Sequence, residues 1–143
     1  MSCISQSKSQ KFTSEFDYSI ILPENWTEYE DEENVDAFFD TTKWTGNFRI
    51  SVVKINKKVD RKFIEDDFQS HDYAKKISTK NGLEGFKYSE NSRGGKIYYW
   101  HLFKNAKVYI CSFLINPENN ATINEIEIEK VGKIINSIKT DLE

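Results

Sequence analysis

"KIYYWHLFKNAKVYICSFLI", residues 96–115, carries the reading of the fold. Two β-prone runs, 96–103 and 108–115, flank a short polar link. A tight connection at Asn105-Ala106 pairs Phe103 with Val108, Trp100 with Cys111 and Tyr98 with Phe113. Strand side chains alternate between faces. Tyr98, Trp100, Leu102, Tyr109, Cys111, Phe113 and Ile115 therefore share one face. Ile97, Tyr99, His101, Phe103, Ile110 and Leu114 share the other. Both faces are too apolar for open water, so the pattern predicts a sheet covered on both sides.

Outward from this pair, "GFKYSE" (85–90) reads as a further strand that ends in the turn signal "NSRGG". Upstream, "FDYSIIL" (16–22) alternates Phe16, Tyr18 and Ile20 and stops at Pro23, which has no N–H to give a ladder. "VDAFFD" from Val35 and "FRISVVKI" (48–55) are strands on β-branched content and alternation. Between 60 and 82 the period changes. Asp60 suits an N-cap, Phe63, Ile64, Phe68, Ala74 and Ile77 make a helical stripe, and Gly82 suits the C-cap. Asn116-Pro117 breaks the last strand. A closing helix spans 121–139, with Ile123, Ile126, Val131, Ile134, Ile135 and Ile138 as its buried stripe.

Helices arrive too rarely in this order for a doubly wound parallel sheet. The expected class is α+β: an antiparallel sheet of about five to six strands covered by helices on both faces, an α/β/α sandwich. Residues 1–11 read as a flexible tail and 12–143 as a single domain, which 143 residues fit. The aromatic fraction of 14% suits a sheet-rich core. The net charge of −3 lacks the basic field that nucleic-acid binding needs. No apolar run approaches the roughly 20 residues of a membrane span.

With "P-x-x-W" at Pro23 and Trp26, the chain resembles the PsbP-like superfamily. That group holds the extrinsic photosystem protein of that name, the Mog-type Ran-binding proteins and bacterial families of unknown function. Phe39 and the strand Gly46, Phe48, Ile50 and Val52 match its "F…G-x-F-x-I-x-V" pattern, and "IINSIK" (134–139) matches its closing helix. The resemblance covers about 12–140 and implies a PsbP-like fold in the bacterial branch of unknown function. Mog-type proteins use acidic surface to bind partners and some bacterial relatives are accessory or chaperone-like, so the resemblance by analogy suits a partner-binding or accessory role. No family site carries over residue by residue. On physical grounds Trp26 reads as an anchor capping the core, burying on the order of 200 Å².

The residue types of catalysis are sparse. His71 and His101 are the only histidines, and neither has a second Cys or His at ligand spacing. His101 reads as a sheet histidine with a local partner. A Cys111–His101 nucleophile pair fails because the pairing puts the two on opposite faces. "NSRGGK" (91–96) lacks P-loop spacing, and Asp66-Asp67 read as a solvated helix face. No catalytic residue, metal ligand or cofactor is expected, and the protein is read as not an enzyme.

What remains is charge. Residues 28–36 hold six acids in nine positions: Glu28, Glu30, Asp31, Glu32, Glu33 and Asp36. They have no EF-hand spacing. The sharper reading makes them a docking loop for an unidentified basic protein partner. Two cysteines make no disulfide framework, so a cytoplasmic setting is the default. Two alternatives stay open: a lipid-tethered envelope protein acylated at Cys3, and a small-ligand binder using a pocket between sheet and helix.

Overall fold

A computed structural model describes residues 8–55, 59–92 and 95–140; the tail before Lys8, including Cys3, lies outside the described residues. Strands β1 (Gln10–Thr13) and β2 (Ser19–Leu22) form a two-stranded sheet. Then come β3 (Trp26–Tyr29), β4 (Val35–Asp40), β5 (Gly46–Lys54), helix α1 (Arg61–Gln69), β6 (Lys75–Ser78), β7 (Glu84–Ser92), β8 (Gly95–Lys104), β9 (Lys107–Ile115) and helix α2 (Ala121–Asn136). The main sheet has seven strands, ordered β3-β4-β5-β9-β8-β7-β6, with every neighbouring pair antiparallel. It is larger than the five or six strands expected, because Trp26–Tyr29 and Lys75–Ser78 add short edge strands on β4 and β7. β5 and β9 pair at the centre, so α1 carries the chain from the centre to the far edge and the β6–β9 meander brings it back.

The register of β8 and β9 is the expected one: Phe103 opposite Val108, Trp100 opposite Cys111, Tyr98 opposite Phe113. Asn105 makes the two-residue turn at φ 56, a left-handed conformation that its short polar side chain tolerates. Alternation then sorts the side chains. Tyr109, Cys111, Phe113 and Ile115 enter a core cluster with Tyr18, Ile20, Trp26 and the α2 residues Val131, Ile134 and Ile135. Phe103, Val108 and Ile110 enter a second cluster with Phe86 and the α1 residues Ile64 and Phe68. Trp26 is 2% exposed and stacks on Phe113, as an anchor should. Gly85 lets β7 pass close to β8: a Cβ there would lie 1.8 Å from the carbonyl oxygen of His101.

Several expectations are corrected. The first helix stops at Gln69, with Ser70 as cap, and does not run to 81. Tyr73 turns the chain at φ 62, and 75–78 become an edge strand against β7. Ala74 and Ile77 are three apart, which puts them on one side of a helix but on opposite sides of extended chain. Ala74 indeed packs into the second cluster and Ile77 into the first. Gly82, at φ 89, serves the β6–β7 turn and not a helix C-cap. Pairing of β1 begins at Gln10, inside the segment read as tail, and Asp17 at φ 65 shortens the expected 16–22 strand to β2. In α2, Ile126 is 49% exposed, because it sits about 140° round the helix from Val131. The helix ends at Asn136, and Ile138 and Lys139 continue as extended chain; Lys139 exchanges two backbone hydrogen bonds with Ser19 of β2.

Candidate functional site

The acidic segment forms the β3–β4 corner. Glu28 stands on β3, Glu30–Asn34 make the turn, with Asn34 at φ 65, and Asp36 stands on β4. Glu28, Glu30, Asp31, Glu32 and Glu33 are exposed and, with Glu15, border a hollow of about 460 Å³. Asp31 is held by Arg49, with 2.6 Å from its Oδ2 to the guanidinium Nε. Partial burial and the neighbouring Asp36 carboxylate raise the pKa of Glu28 above the ordinary glutamate value.

Asp36 does not belong with the other five. It is 5% exposed, and its Oδ2 accepts hydrogen bonds from Ser14 Oγ at 2.6 Å and from the Tyr18 hydroxyl. Alternation along β4 turns this residue inward, so its charge serves the fold and is not presented at the surface. Burial, and then the Asp36 carboxylate, push the Tyr18 phenol far up. It therefore stays an O–H donor to Asp36.

A second constellation was not anticipated. Asp67 sits in the last turn of α1, and His71 follows four residues later, just past the helix cap. His101 stands at mid-β8, beside Tyr88 of the neighbouring β7. The two histidines meet over one carboxylate. His101 Nδ1 lies 2.9 Å from Asp67 Oδ2, and His71 Nε2 lies 3.4 Å from Asp67 Oδ1. Tyr88 Oη is 3.0 Å from His101 Nε2, and the His71 ring stacks on the Tyr88 ring at 4.0 Å. Burial, and then the charges of Glu90, Tyr99 and Asp67, push the Tyr88 phenol up, so it remains a donor. The two ring nitrogens of His101 thus bridge Tyr88 Oη and the Asp67 carboxylate.

A cleft of about 640 Å³ opens beside this group between α1 and the sheet, walled by Val53, Ile55, Phe63, Val108 and Ile110. Asp67 is therefore a linking residue, where the sequence suggested a solvated face. The signal available was the Asp67-x-x-x-His71 spacing at a helix end together with a histidine on the α1 side of β8. Cys111 lies in the other cluster, fully buried, and burial pushes its thiol up. The Cys111–His101 pair does not form, in keeping with the opposite faces read from the sequence.

Among solved structures, the chain is similar to a crystal structure from Bacteroides thetaiotaomicron VPI-5482, at 24% identity and a TM-score of 0.72 over 93% of this chain. The chain spans about half of that protein, 48%. It also matches the solution structure of cyanobacterial PsbP (CyanoP) from Synechocystis sp. PCC 6803, at 12% identity and a TM-score of 0.48 over 98% of both chains. No curated protein matches the sequence. A family profile covers residues 7–141, and the chain belongs to the family described as Domain of unknown function (DUF3805).

Proposed function

We propose that this PsbP-like domain is a non-catalytic interaction or accessory module that docks a basic segment of a protein partner on its β3–β4 corner. The observation that carries this reading is the convergence of Glu28, Glu30, Asp31, Glu32 and Glu33 on one hollow. Such a corner steers a cationic partner and sets its register more than it adds affinity. Anionic partners, nucleic acid among them, are repelled there. The domain is read as cytoplasmic. The tethered alternative turns on Cys3, and the intact mass of the protein from its native cells decides between them.

The test reverses Glu30, Glu32 and Glu33 to Lys and leaves Asp31 to hold Arg49. Capture from lysate of the native cells, followed by binding of the captured partner in rising salt, reads the outcome. The partner is expected to be lost by the triple variant and to associate more slowly as salt screens the corner. Undiminished capture by the triple variant removes the corner from the function. The cleft between α1 and the sheet favours a second reading, a small-ligand site, for which a ligand-dependent rise in melting temperature is the measure.

A further inference from the structure

We infer that Asp67, His71 and His101 together bind one divalent first-row transition-metal ion, with Tyr88 orienting His101 from behind. Two imidazoles and one carboxylate are a donor set suited to zinc, iron, cobalt or nickel. These two rings are the only histidines of the chain, and the sequence holds them thirty positions apart. The fold brings one donor atom of each of the three residues within 4.8 Å of the others.

The separations suit a shared ion. Bonds of about 2.0–2.1 Å put two donor atoms about 2.9 Å apart at a right angle and about 3.4 Å apart at a tetrahedral angle. His101 Nδ1 lies 2.9 Å from Oδ2 of Asp67 and His71 Nε2 lies 3.4 Å from its Oδ1, so a shared ion takes the carboxylate through both oxygens or draws the two imidazoles toward one. The donor atoms of the remaining pair lie within 4.8 Å, and His71 stands beyond the helix cap with 22% of its side chain exposed.

Packing on Tyr88 and Phe86 accounts for the His71 ring but not for the placing of its Nε2 beside Asp67. The bond from His101 to Asp67 already ties α1 to the sheet. At 3.4 Å the second imidazole is a poor hydrogen-bond partner, yet stacking on Tyr88 aims its nitrogen at the same carboxylate. Tyr88 supplies the support that ligating histidines usually have. With Nδ1 of His101 on the ion, Nε2–H donates to Tyr88 Oη, 3.0 Å away. Three protein ligands leave coordination positions facing the cleft, where water or a small ligand fits.

The test uses the full, untagged chain with Cys3→Ser, stripped by a chelator. Zn(II) alone is titrated by calorimetry and Co(II) alone by its visible absorption. One ion per chain is expected, with a cobalt spectrum free of thiolate charge transfer. His71→Ala should abolish uptake; His71→Phe, which keeps an aromatic ring against Tyr88 and Phe86, should abolish it too while circular dichroism stays unchanged. Tyr88→Phe should weaken uptake about 10–100-fold. No uptake by the parent chain, or equal uptake by His71→Ala, overturns the assignment.

Discussion

Removing the Asp36 carboxylate separates a docking residue from a structural one. Its Oδ2 accepts from two hydroxyls, Ser14 Oγ and Tyr18 Oη, at the nearly closed floor of the acidic hollow. A hydrogen bond to a charged group contributes about 1.5–3 kcal/mol, and a buried donor left without a partner costs a similar amount. Asp36→Ala strands both hydroxyls, so a loss of about 3–5 kcal/mol is expected. Against a total of about 5–15 kcal/mol this is a large fraction. Tyr18→Phe removes one of the two bonds and should cost about 1.5–3 kcal/mol. The double variant should cost clearly less than the sum, because the stranded Tyr18 hydroxyl is then gone. Urea melts read all three. With a slope of about 1–3 kcal/mol per molar, the midpoint of Asp36→Ala should fall by more than about 1 M. A shift within about 0.5 kcal/mol, the range of an ordinary surface acid, or strict additivity of the pair, would refute the assignment of Asp36 to the core.

Three further outcomes are expected. Glu28 holds its proton to higher pH when folded than the usual glutamate value of 4.5, so its charged form opposes folding at neutral pH. Glu28→Gln should therefore raise the melting temperature at pH 7 by about 1–2 °C after solvent screening, and the gain should vanish near pH 3, where both states are protonated. Gly85→Ala should cost about 3 kcal/mol or more in a denaturant melt, since its Cβ meets the backbone of β8. Cys111 should resist a thiol reagent in the native chain and react at once in denaturant, its thiol being fully buried and disfavoured as thiolate.

Local alternation and one short link were enough to set the β8–β9 pairing and to divide its side chains between two faces. That information is carried by neighbours in the chain, and pleating converts it directly into geometry. The end of α1 was not legible, because Ala74 and Ile77 satisfy a helical stripe as readily as two faces of an edge strand. Propensity does not distinguish these; pairing with β7 does. Six acids in nine positions read as one surface, and only the inward turn of β4 onto Tyr18 and Ser14 takes Asp36 out of it. The meeting of Asp67, His71 and His101 depends on where α1 lands across β7 and β8. The Asp67–His71 spacing is visible in the sequence. Their third partner, on a strand reached by a crossover and a meander, is a matter of long-range packing, which no local period encodes.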